Sequence, residues 1–182
     1  MPTLAYAILA AGWIFWLVPF IVARRSRQPV KQVDRTARWG ILLQVLAYTI
    51  LWQSRFWKRS PTGWQMALAV AFFAVAGLLA WKSTRALGRQ WRIEAGLSAD
   101  HELIMSGPYR WVRHPIYTSM LCMLLATGLM TVPWPLHLLT ITIMLAGIQI
   151  RVRAEDALLA SRFGEQFQEY RRAVPGYIPF LR

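Results

Sequence analysis

The sequence predicts an all-α integral membrane protein of about five transmembrane helices. The last two form a tight hairpin, and a cytoplasmic pocket is built from the 82–114 loop and a C-terminal helix. Three observations carry this expectation. The 182 residues are 56% hydrophobic and 16% charged, against about 45–50% and about 25% in soluble domains. Five apolar segments of near-spanning length alternate with basic stretches. The 21 Lys and Arg residues, which set a formal net charge of +13, fall mostly on one side once five spans are threaded in order.

The expected spans are residues 4–23, 39–57, 64–82, 116–132 and 134–150, within a single membrane domain covering 1–182. Spanning takes about 20 mostly apolar residues, with a range of roughly 17–25. The second segment is apolar only to Gln53 and reaches that length by adding Phe56 and Trp57, with Arg55 or Lys58 snorkelling to the interface. The fourth and fifth are near the lower limit. Pro133 alone separates them and Pro135 follows closely, so the turn is tight and the two helices run antiparallel. After the fifth span, Phe163, Phe167, Tyr170 and Val174 recur at helical spacing, predicting an amphipathic helix over about 151–174 that Pro175 stops.

Orientation follows from the basic residues. Segments 24–38, 82–114 and 151–182 carry six each, and Arg55, Lys58 and Arg59 are alone on the other side. The N-terminus is therefore expected outside and the C-terminus inside, with all eight acids cytoplasmic. Charge spread over three separate loops serves topology and argues against nucleic-acid binding. The first apolar segment has its positive cluster after it rather than before it, so it reads as an uncleaved span and not as a signal peptide.

Several chemistries are excluded. A single cysteine, Cys122, allows no intramolecular disulfide and no cysteine metal site, and it reads as a small buried apolar residue. His101, His114 and His137 have no metal-ligand spacing, and His137 reads as structural. There is no Ser or Lys dyad placed for nucleophilic catalysis and no glycine-rich phosphate cradle.

What remains is a polar cluster at a membrane edge. His114 begins the fourth span and Arg151 ends the fifth, both on the inner side, and packed helix axes lie roughly 8–10 Å apart. Arg151 and Glu155 are four residues apart on one helix face. Tyr109, Arg113, His114, Tyr117, Arg151 and Glu155 therefore converge on one cytoplasmic mouth, stiffened by Pro108 and Pro115. Glu suits an ammonium, Arg or His a carboxylate, and the aromatics a flat ring, so the mouth fits a zwitterionic ligand.

Three stretches resemble the isoprenylcysteine carboxyl methyltransferases and their relatives, the phospholipid N-methyltransferases. They are LGRQW at 87–91, HELIMSGPYRWVRHPIY at 101–117 and RVRAEDALLASRFGEQFQEYRRAVPGYIPFL at 151–181. The motif-bearing catalytic region thus covers 87–181, and the first three spans match the family only in being hydrophobic. The resemblance implies S-adenosyl-L-methionine as cofactor, leaving as S-adenosyl-L-homocysteine and bound on the cytoplasmic side. Its contacts carry over to His101, Glu102, Leu103, Ile104, Tyr109, His114, Pro115, Ile116, Tyr117 and Glu155. Arg151 and Glu155 are implied as the catalytic pair, and Arg151 with Arg113 as substrate-binding. A further cofactor position falls near Glu94. Asp156 departs from the family's second Glu; its charge is kept but its reach is shorter.

The implied reaction is methyl transfer to a lipophilic acceptor among the membrane lipids: a prenylcysteine carboxylate, with a phospholipid amine or a small thiol as alternatives. An amine acceptor needs a base, for which Tyr109, Tyr117 or Glu155 are the candidates. Two other classes stand beside this reading. A membrane sterol-type reductase would bind NADPH through more basic contacts. The other is a non-catalytic membrane scaffold or small transporter; a transporter would be expected to place ionisable residues mid-span, and the span interiors hold no Asp, Glu, Lys or Arg.

Overall fold

The computed structural model describes residues 1–23, 32–53, 60–91, 96–97 and 102–179. Among them are five α-helices: α1 Thr3–Val22, α2 Ala37–Leu51, α3 Gly63–Leu87, α4 Pro115–Thr131 and α5 Trp134–Ala173. A two-residue antiparallel ladder, β1 Gln32–Val33 with β2 Gly96–Leu97, ties the chain ahead of α2 to the chain after α3. Among the described residues the regular structure is otherwise helical.

Local chemistry explains the helix ends. The side chain of Gln65 accepts the Thr62 backbone N–H at 2.9 Å, satisfying a donor at the start of α3. Pro115 opens α4 and Pro135 lies in the first turn of α5, where a proline costs no helical hydrogen bond and its fixed φ is already helical. Val132 and Pro133 join the two helices. α5 does not stop at the expected end of the fifth span: it runs unbroken past residue 150 to Gly164, whose φ of 52° breaks the helical path before Phe167 and Tyr170.

α1, α3 with its 3-10 extension to Gln90, and α5 are long and apolar enough to cross a membrane. α2 and α4, with 15 and 17 residues, rise about 22 and about 26 Å at 1.5 Å per residue. The extension of α2 through Phe56 and Trp57 falls on residues 54–59, outside those described. Apolar side chains cover the outside of the bundle: Ile14 is 63%, Ile21 78% and Trp39 66% exposed. Together with the spans this identifies a membrane protein, because water would not tolerate so continuous an apolar surface.

α4 is the central helix. One core cluster packs α1, α3 and α4 through Leu9, Phe73, Met123 and Met130. A second packs α2, α4 and α5 through Leu51, Leu124, Met144 and Ile148. The main contacts run from α1 to α3, α3 to α4, α4 to α5 and α5 to α2. In a bilayer, close approach depends on small residues at the crossings. Gly12 lies under the Phe73 ring, Gly77 under Phe15 and Gly128 under His137. A Cβ on Gly40 would stand 2.6 Å from the Gly147 carbonyl oxygen and 2.5 Å from Arg151 Cγ, so α2 and α5 touch backbone to backbone. α1 and α2 meet instead through rings, Trp13 lying 5.4 Å from Tyr48 and 5.3 Å from Trp52. His137 is buried, as a structural residue should be, whereas Cys122 is half-buried rather than buried.

Candidate active site

α4 and α5 bring the sequence motifs together where α4 begins. The guanidinium of Arg151 donates through Nε to the Tyr117 hydroxyl at 2.5 Å and through Nη2 to Glu155 Oε1 at 3.1 Å. Its Cζ lies 5.5 Å from the centroid of the Tyr117 ring. Tyr117 in turn donates to Glu155 Oε1 in a short hydrogen bond. His114, the residue before the first proline of α4, stacks on Tyr117 and stands between two carboxylates. Its Nδ1 is 3.3 Å from Glu155 Oε2 and its Nε2 is 2.8 Å from Asp156 Oδ1.

Both ring nitrogens of an imidazole can donate only when the ring is protonated. Burial opposes that charge, but the hydrogen bonds His114 donates to Asp156 and Glu155 prevail and lift its pKa to about 8. Burial likewise works to raise both carboxyls, yet His114, with Arg151 beside Glu155 and Arg113 beside Asp156, holds each below its ordinary range. The cluster thus sets three cations, Arg113, His114 and Arg151, against two carboxylates. Burial pushes the Tyr109 phenol well up, with the nearby negative charge of Glu155 adding to it, so it stays protonated at neutral pH.

The C-terminal segment locks this arrangement. The backbone N–H groups of Arg113 and His114 donate to the carbonyls of Pro175 and Gly176, each at 2.9 Å. Arg113 Nη2 meets Asp156 Oδ2 at 2.9 Å, and Nη1 donates to the carbonyls of Arg171, at 3.2 Å, and of Val174. Thr118 donates to the Tyr177 carbonyl at 2.6 Å, and Tyr170 donates to the Tyr109 carbonyl at 2.6 Å. The break at Gly164 allows Phe167 and Tyr170 to be buried against the body of the protein.

A cavity of about 480 Å³ opens beside the cluster. Of the expected site residues, Glu102, Leu103, Ile104, Tyr109, Arg113, His114, Ile116, Tyr117, Arg151 and Glu155 line it. Pro115 is buried behind the wall as the first residue of α4. His101 and Glu94 lie outside the described residues. Three groups of residues went unrecognised as parts of the site in the sequence. Asp156 joins Arg113 to His114, a role that depends on contacts 42 and 43 positions away. Tyr170 was visible only as one member of an apolar stripe. Trp16, Phe20, Gln44, Val45 and Tyr48 line the inner wall from α1 and α2, where no motif marked them.

The sequence has counterparts among known proteins. The profile of the phospholipid methyltransferase family matches residues 64–166, more than half of the chain and including the cluster residues from Tyr109 to Asp156. Protein-S-isoprenylcysteine O-methyltransferase of Schizosaccharomyces pombe is 33% identical over 82 residues, 45% of this chain and 35% of that protein. Methanethiol S-methyltransferase of Crocosphaera subtropica is 34% identical over 73 residues, 40% of this chain and 28% of that protein. The chain therefore spans about a third of the length of these two relatives. The Bacillus subtilis protein YpbQ is similar along most of both chains, with 24% identity over 164 residues, 80% of this chain and 96% of that protein. With the motif residues gathered at one cavity in a helical bundle, this chain belongs to the phospholipid methyltransferase family.

Proposed function

We propose that the protein transfers a methyl group from S-adenosylmethionine to a lipophilic acceptor at the cytoplasmic face of its membrane, in the manner of an isoprenylcysteine carboxyl O-methyltransferase. One observation carries this reading. The cluster of Arg151, Tyr117, Glu155 and His114 lies at one part of a cavity whose wall from α1 and α2 is, Gln44 apart, apolar and aromatic: Trp16, Leu17, Phe20, Ile41, Val45 and Tyr48. A polar donor and a lipid acceptor need such a two-natured site.

The donor set fits S-adenosylmethionine. The cavity falls within the roughly 300–1,000 Å³ of small-molecule sites. The Glu155 side chain is ionised and 24% exposed, which leaves it open to an ammonium. Leu103, Ile104, Trp91 and Tyr109 provide apolar and aromatic walls for an adenosine. When bound, S-adenosylmethionine supplies a methyl group made electrophilic by the sulfonium charge.

The protein's residues then divide the work. Glu155 holds the ammonium group. His114 and Tyr117 fix Glu155, and Asp156 fixes His114, so the carboxylate is oriented before any ligand arrives. Arg151, aligned by Tyr117 and Glu155, orients the head of the acceptor. The apolar walls exclude water, which strengthens these interactions. A carboxylate acceptor is already ionised at neutral pH and requires no proton removal. An amine acceptor requires a base, and a Glu155 held low with a Tyr109 held high make poor ones.

Thermal stabilisation of the detergent-solubilised protein is the first test. S-adenosylhomocysteine should raise the melting temperature and NADPH should not; the reverse result would favour the reductase reading. By calorimetry, Glu155→Gln should weaken S-adenosylhomocysteine binding about tenfold, the worth of a charge-assisted contact. Arg151→Ala should leave that affinity nearly unchanged and lower turnover of labelled methyl groups at least tenfold. Equal cofactor affinity in wild type and Glu155→Gln would end the assignment of Glu155.

A further inference from the structure

Gln44 sits on α2, outside the motif-bearing region, in a stretch without a charged residue from Trp39 to Trp52. It lines the cavity, is 5% exposed, and its amide nitrogen Nε2 has no hydrogen-bond partner among the described residues. Its neighbours on the same wall are satisfied. The Tyr48 hydroxyl donates to the Met120 carbonyl at 2.8 Å, and the Trp16 indole N–H donates to Ser119 Oγ at 3.1 Å. A buried donor without a partner destabilises the fold, and a polar side chain at membrane depth marks a ligand or a pathway.

The backbone places this amide beside the reactive cluster. Gly40 packs on Gly147 and Arg151, and Gln44 is one turn further along the same face of α2. Its Cγ lies 3.2 Å from where a Cβ of Gly147 would stand, so the bare glycine makes room for its stem. Arg151 and Gln44 therefore follow one another along the cavity wall, with the apolar side chains of Val45, Tyr48, Met120 and Trp16 lining it as well. The terminal torsion of a glutamine is soft, so the donor can turn to a ligand oxygen while the stem stays packed.

We propose that Gln44 determines acceptor specificity by donating a hydrogen bond to an oxygen of the acceptor's head group, which it holds together with Arg151. The inference rests on the methyl-transfer reading and narrows it to acceptors headed by a carboxylate or a similar anionic oxygen group. The unpartnered group is a donor, its neighbour is a cation, and the cluster carries three cations against two carboxylates. An amine head would set donors against donors, and a thiol accepts hydrogen bonds only weakly. A site with a buried polar group discriminates strongly against ligands that leave it unpaired.

The test uses the full-length protein in detergent and a matched pair of probes: N-acetyl-S-farnesylcysteine and N-acetyl-S-farnesylcysteamine, the same molecule without the carboxylate. Binding is followed by tryptophan fluorescence, and S-adenosylhomocysteine binding by calorimetry. Wild type should bind the acid at least tenfold more tightly than the cysteamine. Gln44→Leu should reduce affinity for the acid roughly tenfold, the worth of one hydrogen bond to a charged group. Affinity for the cysteamine and for S-adenosylhomocysteine should not change, and the ligand-free variant should melt at or above the wild-type temperature. Wild type that binds the two probes alike, or neither of them, overturns the proposal. So does a variant that keeps the full preference, or one that melts lower and loses every ligand. Failure of wild type to bind S-adenosylhomocysteine is a separate result and overturns the methyl-transfer reading itself.

Discussion

Asp156 illustrates how much one side chain can hold. Its carboxylate, 8% exposed, joins Arg113 at 2.9 Å to His114 at 2.8 Å, and through them connects the α4 entrance to the C-terminal segment. Removing one member of a buried ion pair strands the other, at a cost of about 3 kcal/mol or more. Asp156→Asn should therefore lower stability by that order, measured by thermal or denaturant unfolding in detergent. It should also change the pH profile. A His114 whose folded pKa is about 8, above its unfolded value, contributes stability fully below about pH 6.5. That stability is lost as pH rises through 8, and the shift corresponds to about 2 kcal/mol. Wild type should soften between pH 6.5 and 8, and Asp156→Asn should soften much less over that interval. Equal slopes would show that Asp156 does not hold the proton on His114. The shorter reach of Asp compared with Glu, a departure from the family pattern in the sequence, is met here by a contact made directly to the imidazole.

Among the elements, the pairing of α2 with α5 positions both Arg151 and Gln44. Its closeness depends on two glycines whose absent side chains are the contact. Gly40→Ala places a methyl group 2.6 Å from a carbonyl oxygen and 2.5 Å from Arg151 Cγ. Overpacking of this kind costs about 1–3 kcal/mol, and here it also presses on the Arg151 side chain. The expected result is a lower melting temperature together with a loss of turnover larger than that loss of stability explains. Gly63→Ala, where an added Cβ meets nothing within 4 Å, is the control and should be close to neutral. The helices themselves were legible in the sequence because apolar length and proline punctuation are local properties. The glycine contacts were not, since a glycine at a crossing looks the same in sequence as a glycine on a lipid-facing surface.

At the scale of the whole molecule, the distribution of basic residues along the sequence favours one orientation. We propose the N-terminus outside and the motif cluster in the cytoplasm, with the loop after α2 and the α4–α5 turn on the outer side. In a bacterial host, green fluorescent protein fused to the C-terminus should fluoresce, and alkaline phosphatase fused after Leu51 should be active. The opposite pair of results would reverse the orientation and place the cavity mouth outside. α4, buried against helices on both sides, is the axis about which the site is built. α1 and α2 contribute walls to the cavity through Trp16, Phe20, Gln44, Val45 and Tyr48.

The sequence by itself determined the class of the protein, the helical segments and the charged cluster. Apolar length, proline position and i, i+4 spacing act over a few residues, and a tight α4–α5 turn needs only Val132 and Pro133. Tertiary structure decided what each polar group touches. Asp156 meets its partners, and Gln44 faces the cavity without one, only because distant helices are brought together: α4 onto α5 across more than 40 positions, and α2 onto α5 across more than 100. Contacts at such separations depend on how the helices pack, which no local pattern of residues records.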